Sequence, residues 1–303
     1  MVDCTEFWLI QVKTLREIVS SLKRFNELSI AIPASFVSDV PHLREKTFRI
    51  GLVGRAAAIF RVDEVMVFPD QPKMNQKRDM NLVATILSYM ETPQYLRKRL
   101  FAIEPELRYV GVLPPLRTPH HPTADKMENL TVSEYREGVT VARVREGTLV
   151  DIGVEQPFLI EGKKLPLNKR VTVNVARLGK TPLAVVAKRE EIQQYWGYKV
   201  TVVNEPLGQL TKTRRFDLII ATSRRARPYS TVMDKLRKKW ETSRSVLVAF
   251  GAPTQGLFEI VAQEKLQLEN IADFIVNTIP NQGTETVRTE EALYATLSIL
   301  DLF

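Results

Sequence analysis

Apolar positions in the first third of the chain alternate between strand and helix patterns. Residues 28–33 (LSIAIP) and 64–68 (EVMVF) are short apolar runs of strand length. Between them, residues 42–61 repeat apolar side chains at helical spacing, and residues 78–90 and 94–100 also have helical patterns. This β-α-β-α order predicts an α/β fold with a mostly parallel sheet, because parallel neighbours need a helical crossover.

The pattern changes after about residue 101. Six short apolar runs, separated by Gly and Pro turn signals, follow between residues 110 and 203. The runs are VTVARV, GTLVDIG, PFLIEG, RVTVNVA, LAVVAK and YKVTVV. Runs of strand length between turns predict a small β-barrel.

The α/β pattern returns after Gly208. The predicted elements are strands at residues 217–222, 245–250 and 273–278, and helices at residues 231–242 and 289–300. Neither α/β part alone has enough strands and helices to cover both faces of a parallel sheet. We therefore predict one discontinuous α/β domain, residues 1–101 and 208–303, interrupted by a β-barrel domain at residues 102–207.

Positive charge is concentrated in one segment. The chain has 43 Lys and Arg against 35 Asp and Glu, a net charge of +8. Between Gly208 and Ser245 there are eleven basic and three acidic residues, which alone give 11 − 3 = +8. An otherwise neutral chain with one basic segment is typical of a polyanion-binding protein. The alternative is a solvated helix face next to a loop.

Several functional classes are disfavoured by composition. The only cysteine, Cys4, excludes an intramolecular disulfide and a cysteine-rich zinc site. The three histidines lack metal-ligand spacing, so no catalytic metal is expected. No apolar run reaches the ~20 residues of a membrane-spanning helix, and the N-terminus lacks the basic flank of a secretory signal. We therefore expect a cytoplasmic protein outside the membrane.

Three loops are predicted after the strands that end near residues 222, 250 and 278. In open parallel sheets, ligands bind outside the carboxyl ends of the strands. Gly251, Gly256 and Gly283 in these loops would let a ligand approach the backbone, although each glycine alone also suits an ordinary turn. The chain lacks a Walker-type Lys-Ser/Thr, a GxGxxG after a strand and a GxSxG elbow, which argues against the corresponding nucleotide-binding and hydrolase classes.

Several segments resemble motifs of the SPOUT superfamily of RNA methyltransferases. NTIPNQGTETVRTEEAL resembles the last motif of that superfamily, and VLVAFGAPTQGL resembles its second. Five further segments resemble the archaeal–eukaryotic branch in which a β-barrel interrupts the domain: AAAIFRVDEVMVF, TPQYLRKRLF, GVLPPLRTPHHP, YREGV and YWGYKV. The resemblance implies a SPOUT-type knotted α/β domain with a C-terminal trefoil knot, interrupted by a small OB-like β-barrel.

The resemblance also implies a cofactor, S-adenosyl-L-methionine, and the residues around it. The expected cofactor contacts are Thr222, Gly251, Gly256, Ile279, Pro280, Gly283, Val287 and Ala292. Arg55 matches an arginine that often lies near the acceptor in related enzymes and is the expected catalytic residue; its alternative is a surface ion pair. Thr289, at the start of the last predicted helix, suits either a functional role or simple capping.

The expected partner is RNA. The candidate phosphate-binding residues are Lys212, Arg214, Arg215, Arg224, Arg225 and Arg227. Tyr195, Trp196 and Tyr198 either stack on bases or, more often for such aromatics, belong to the barrel core. The resemblance further implies a homodimer, because SPOUT enzymes generally build each acceptor site from two subunits.

Taken together, the sequence predicts an S-adenosylmethionine-dependent RNA methyltransferase that modifies ribosomal RNA at uridine N3, the acceptor associated with this branch. A ribose 2′-O-methyltransferase stays open, because Arg55 lies where such enzymes carry their arginine. Two further functions stay open as well: a non-catalytic RNA-binding or assembly factor that keeps the knotted scaffold, and a small-molecule methyltransferase.

Overall fold

The computed structural model describes residues 22–303. Cys4 lies outside the described residues. The described chain forms two compact units. The sheet unit comprises Phe25–Glu91, Ile103–Leu116 and Tyr198–Phe303, and the barrel unit comprises residues 22–24, Thr92–Ala102 and Arg117–Gly197.

The strands and helices are numbered in chain order. The strands are β1 (Glu27–Pro33), β2 (Glu64–Phe68), β3 (Tyr135–Val144), β4 (Gly147–Asp151), β5 (Phe158–Glu161), β6 (Arg170–Arg177), β7 (Leu183–Val186), β8 (Lys199–Val202), β9 (Leu218–Pro228), β10 (Ser245–Ala249) and β11 (Phe274–Asn277). The helices are α1 (Leu43–Ile59), α2 (Lys77–Glu91), α3 (Gln94–Leu100), α4 (Leu207–Thr213), α5 (Met233–Thr242), α6 (Leu257–Ala262) and α7 (Thr289–Leu300).

Six parallel strands form the sheet of the sheet unit, in the order β11-β9-β10-β1-β2-β8. All five residues of β2 are buried, and six of the seven residues of β1 are buried. Such continuous burial is expected of parallel strands that are covered on both faces. The prediction of an α/β fold with a mostly parallel sheet is confirmed.

Alternate residues of these strands enter two separate hydrophobic cores. Ile30 and Ile32 of β1 belong to the core that contains buried residues of α1, α2, α5 and α7. Ala31, between them, belongs to the core that contains buried residues of α4 and α6. The two-residue period of a strand sends successive side chains to opposite faces, so one short apolar strand supports helices on both sides.

Strand β9 differs from the sequence prediction. The sequence predicts a strand end at Thr222 followed by a plain loop, whereas β9 continues to Pro228, so this prediction is wrong. Ile275 of β11 pairs with Ala221, but the next residue, Val276, pairs with Arg227. Residues 222–226 therefore form a long irregularity in β9 between two positions that pair with β11. Local strand distortions of this kind often change the direction of side chains at functional sites.

The barrel unit contains a closed five-stranded barrel in the order β3-β4-β5-β7-β6. Neighbouring strands are antiparallel except for β5 and β7, which pair in parallel. Its interior is filled by apolar side chains such as Phe158, Ile160 and Val173. Five of the six predicted barrel runs form this structure.

The sixth run, YKVTVV, is not a barrel strand, and that part of the prediction is wrong. It contains β8, which pairs in parallel with β2, aligning Lys199 with Glu64 and Val202 with Val67. A short β-branched run has the same two-residue period in either kind of sheet, so periodicity cannot identify its partner.

The three aromatic residues near this run are buried. Tyr195 and Trp196 in the barrel unit and Tyr198 in the sheet unit are all almost inaccessible. The indole nitrogen of Trp196 donates a hydrogen bond of 2.5 Å to Glu137 Oε1, inside the barrel unit. The three aromatic side chains therefore occupy buried positions and are not exposed for stacking on bases. Tyr198 belongs to the core of the sheet and not to that of the barrel.

Candidate active site

A cavity of about 290 Å³ lies at the carboxyl ends of β9, β10 and β11. Four stretches of chain line most of it: residues 222–225 in the irregular part of β9, residues 250–256 after β10, residues 276–279 at the end of β11, and the approach to α7. This is the edge of a parallel sheet at which ligands bind.

Six of the eight residues expected to contact the cofactor line this one cavity. They are Thr222, Gly251, Gly256, Ile279, Val287 and Ala292. Pro280 and Gly283 lie in the loop between β11 and α7 but are not among the lining residues. Phe250, Glu259 and Thr289 also line the cavity, and sequence reasoning did not include them among the cofactor contacts.

The loop after β10 folds back closely on itself. Ala252 donates a backbone hydrogen bond of 2.8 Å to the carbonyl of Gln255. A Cβ on Gly251 would lie 3.1 Å from the Cα of Gly256 and 3.3 Å from the backbone nitrogen of Leu257. Glycine at 251 thus lets two backbone segments approach, and the space beside them stays open to a ligand.

Side-chain hydrogen bonds connect the walls of the cavity. The hydroxyl of Thr289, the first residue of α7, donates 2.9 Å to the carbonyl of Gly251. The hydroxyl of Thr222 donates 3.1 Å to the carbonyl of Ala249. The amide of Asn277 donates 3.0 Å to the carbonyl of Arg224. The three strand ends are therefore held to one another by short polar contacts, each worth about 1 kcal/mol.

A buried ion pair fixes the start of α7. Arg49 of α1 donates through Nε to Glu290 Oε1 at 2.7 Å and through Nη1 to Asp39 Oδ1 at 2.8 Å. Burial lowers the pKa of Arg49, but the hydrogen bonds and negative charges of Glu290 and Asp39 outweigh it and leave that pKa raised. No sequence motif marks Arg49, since its partner Glu290 lies 241 positions away.

Two arginines and a glutamate form the charged part of the lining. Arg224 donates through Nη1 to the backbone carbonyl of Glu285 at 2.7 Å. Arg225 forms an ion pair with Glu259, and its Cζ lies 5.3 Å from the ring centroid of Phe258. Both members of the Arg225–Glu259 pair are substantially exposed to solvent.

The remaining predicted site residues lie outside the cavity lining. Arg55 donates through Nη1 to the carbonyls of Pro115 and Leu116, both at 2.7 Å. Arg214 donates through Nη1 to the buried Glu64 at 2.8 Å, so part of the Arg214 guanidinium is already bound within the protein. Lys212, Arg215 and Arg227 are exposed.

Burial raises the pKa of Tyr294 on α7, while the positive charge of Arg55 acts in the opposite direction.

The lining residues offer both the apolar and the polar surface that S-adenosylmethionine would need. Ile279, Val287 and Ala292 provide an apolar wall, whereas the turn at Gly251 provides exposed backbone groups and a place that a Cβ would fill. A volume of about 290 Å³ is at the small end for ligand pockets. Between residues 22 and 303, no group of three or more His, Cys, Asp or Glu side chains could hold a metal ion. Within the same range, no helix has the length and apolarity to cross a membrane.

A parallel α/β sheet with a cavity built from the loops at its carboxyl edge is typical of α/β proteins that bind a small ligand at this edge. Comparison with known proteins narrows the class. Residues 27–300 match the family described as "Putative RNA methyltransferase", which covers nearly the whole chain. The chain therefore belongs to this family of RNA methyltransferases, and the prediction of a methyltransferase is confirmed.

Similar proteins occur in archaea and animals. An uncharacterized protein of Halobacterium salinarum is 34% identical over 289 residues, covering 90% of this chain and 98% of that protein. The 28S rRNA (uridine-N(3))-methyltransferase of Mus musculus is 32% identical over 303 residues, covering 90% of this chain and 75% of that enzyme. The enzyme of the same description from Homo sapiens is 33% identical over 304 residues, covering 90% of this chain and 77% of its own length.

Proposed function

We propose that this protein transfers a methyl group from S-adenosyl-L-methionine to N3 of a uridine in ribosomal RNA. The descriptions of the mouse and human relatives support the nucleotide and the RNA. The observation that carries the proposal is the cavity at the ends of β9, β10 and β11, which gathers six residues expected at the cofactor.

Residues of the sheet unit would hold the cofactor. Ile279 and Val287 would contact the adenine on the apolar wall, while backbone groups near Gly251 would bind its polar parts. When bound, S-adenosylmethionine supplies a methyl group on a sulfonium, an electrophile that needs no metal. The chain's own contribution is to align the acceptor with that methyl and to remove a proton from it.

The knotted topology and the origin of the barrel belong to the same proposal. We infer that the sheet unit is a SPOUT-type domain and that the barrel is its OB-like insertion. The barrel strands β3 to β7 follow one another in the chain, between the sheet strands β2 and β8, and this order supports an insertion. The position of β11 at the sheet edge, followed by the α7 segment that lines the cavity, suits a C-terminal knot.

A homodimer is supported by the outer face of α1. Phe48 and Ile59, about half exposed, are separated by eleven residues and therefore lie on the same side of the helix. Arg55 lies on this side as well, since it is seven residues after Phe48 and four before Ile59. A second copy packed on this face would bring Arg55 into the interface, in agreement with an acceptor site built from two subunits.

Exposed basic residues support RNA as the partner. Lys212, Arg215 and Arg227 carry no ion pair among the described contacts and lie in the basic segment. Replacing Arg215 and Arg227 together by Gln is expected to weaken RNA binding. The slope of log K against the logarithm of the salt concentration should become less steep by about 0.7 for each phosphate contact that is lost. Unchanged methyl transfer and RNA affinity in this variant would instead favour a small-molecule substrate.

The decisive experiment is methyl transfer from radiolabelled S-adenosylmethionine to total RNA, followed by identification of the modified nucleoside. The expected product is N3-methyluridine in ribosomal RNA. A 2′-O-methylated ribose would replace the proposed acceptor. Calorimetry with S-adenosylmethionine is the companion measurement, and an absence of binding at high micromolar cofactor would leave only a non-catalytic RNA-binding or assembly factor.

A further inference from the structure

The cavity lining contains three charged side chains, Arg224, Arg225 and Glu259. Among the described residues that line it, Glu259 is the only carboxylate, and it is paired with Arg225. Ile279, Val287 and Ala292 form the apolar side, where the cofactor is expected. We call Glu259 and Arg225 the charged pair. A cofactor bound against these apolar side chains would leave the charged pair available to the acceptor.

The charged pair lies next to the loop that is expected to bind the cofactor. Glu259 lies three residues after Gly256, and a Cβ on Gly256 would lie 3.0 Å from Glu259 Oε2. The guanidinium of Arg225 is held between Glu259 and the ring of Phe258, at 5.3 Å from the ring centroid. Both side chains are still about half exposed, so an incoming base can reach them.

The two members of the charged pair have complementary hydrogen-bonding capacity. A carboxylate only accepts hydrogen bonds, whereas a guanidinium only donates them. The N3 edge of uracil presents one N–H donor between two carbonyl acceptors. One acceptor and one neighbouring donor on the protein therefore match N3–H and an adjacent carbonyl oxygen of uracil.

Methylation at N3 requires the removal of that proton. We propose that Glu259 is the proton acceptor of the reaction and that Arg225 binds the neighbouring uracil carbonyl oxygen, where negative charge develops. This inference rests on the proposed function. Arg55 is unsuited to this step, since a guanidinium only donates hydrogen bonds and a carboxylate can accept the proton.

The step balances without any further reagent. The N3–H bond of uracil breaks, and its proton passes to a carboxylate oxygen of Glu259. The electron pair left on N3 forms a bond to the methyl carbon, and the carbon–sulfur bond breaks with its electron pair remaining on sulfur. Glu259 then releases the proton to water.

The same pair would select uridine over cytidine. Cytosine N3 carries no hydrogen and has a lone pair that would face the carboxylate. With Arg225 at the position of uracil O4, the exocyclic amino group of cytosine would face the guanidinium. Both contacts become unfavourable, because the protein groups are left without partners.

The test uses Glu259→Gln, which keeps the shape of the side chain. We expect kcat to fall by about 10²-fold or more. Below the pKa of the uracil imide, the logarithm of the residual rate is expected to rise with unit slope against pH, since only base that is already ionised reacts. Glu285→Gln, the same change in the nearby loop outside the cavity lining, should alter kcat less than about twofold.

A binding measurement gives an independent readout. Fluorescence anisotropy, with S-adenosylhomocysteine present, compares oligonucleotides that carry uridine or cytidine at the target position. The wild-type protein is expected to prefer uridine by about tenfold, and Glu259→Gln, whose amide can both donate and accept, should reduce this preference to about twofold or less. A merely structural Arg225–Glu259 contact would change both affinities alike.

The outcomes separate this inference from the proposed function. If wild-type protein forms no N3-methyluridine, the proposed function fails. A different result overturns only the inference about Glu259. In that case the wild-type protein forms N3-methyluridine, and Glu259→Gln binds cofactor normally in calorimetry. The variant also keeps the kcat, the pH dependence and the preference for uridine of the wild type.

Discussion

The hydroxyl of Thr289 donates a 2.9 Å hydrogen bond to the carbonyl oxygen of Gly251. Thr289 is the first residue of the last helix, and Gly251 follows the central strand β10. The bond joins the two segments on either side of the cavity, so the start of α7 and the glycine turn are held in one arrangement.

Replacing Thr289 by Val removes this bond while keeping the size of the side chain. The loss of about 1 kcal/mol is expected to weaken S-adenosylmethionine binding about fivefold in calorimetry. Thr284→Val, in the loop before α7 and outside the cavity lining, is the matched control and should bind cofactor normally. Equal effects of both variants would contradict a specific role of the Thr289–Gly251 contact.

Gly251 and Gly283 are expected to respond differently to alanine. A Cβ at Gly251 meets backbone atoms at 3.1 to 3.3 Å, whereas a Cβ at Gly283 meets nothing within 4 Å. Gly251→Ala should distort the turn at a cost of about 1 to 3 kcal/mol and weaken cofactor binding about tenfold.

Gly283→Ala serves as the control, since it should change the free energy of unfolding by less than about 0.5 kcal/mol. If Gly283→Ala weakens cofactor binding without changing stability, Gly283 contacts the cofactor directly, as the sequence predicts. If Gly251→Ala binds cofactor like the wild type, the turn is not part of the cofactor site.

The buried Arg49–Glu290 pair should be strongly sensitive to the loss of one partner. Arg49→Met leaves the carboxylate of Glu290 buried without its cation, and we expect a loss of about 3 to 5 kcal/mol in the free energy of unfolding by urea. Arg61→Met, which removes the more exposed pair with Asp301, should cost about 1 kcal/mol or less.

The double replacement Arg49→Met with Glu290→Met should recover much of the loss, because the buried carboxylate is removed together with its cation and only the more exposed Asp39 loses its partner. A double variant as unstable as the sum of the two single variants would show that the ion pair contributes no coupling energy.

Stability at acidic pH should depend on Asp217. Its carboxylate accepts hydrogen bonds from the backbone N–H groups of Arg244 and Ser245, which lower the pKa of Asp217 below the ordinary 3.8. Because the folded-state pKa is depressed, the unfolded chain binds the proton more readily. The stabilisation is therefore present above about pH 4 and is lost as the pH falls through the lower folded-state pKa.

Urea unfolding of Asp217→Asn and of the wild type between pH 7 and pH 3 measures this contribution. The difference between the midpoint urea concentrations of the two proteins is expected to become smaller as the pH falls below about 4. Asp125→Asn, an exposed residue of the barrel unit, is the matched control. A difference that stays constant over the whole range would contradict the assigned cause.

Most of the regular elements follow from local sequence patterns. The predicted strand at residues 64–68 and the predicted helix at residues 289–300 have the same limits in the structure. Both predictions use only residues that are close in the chain. A continuous apolar run indicates a strand that is buried on both faces, and an apolar repeat of 3.6 residues indicates a helix. The parallel sheet follows from the same information, because helices between strands impose parallel pairing.

Pairing partners are less accessible to sequence reasoning. The run at residues 198–203 has the composition of a barrel strand, yet β8 completes the edge of the sheet next to β2. Residues 222–226 have the composition of a loop, yet they form an irregular part of β9 because β11 pairs on either side of them. In both cases the deciding hydrogen bonds come from a segment that is distant in the chain.

The sequence by itself determined the alternation of strands and helices and the concentrated positive charge. Through its resemblance to known enzymes, it also pointed to six of the residues that line the cavity. Only the tertiary structure decided that Glu259 and Thr289 face that cavity and that Arg49 holds Glu290. The physical reason is that periodicity reports which face of an element is buried, whereas an ion pair or a hydrogen bond depends on where two distant segments meet.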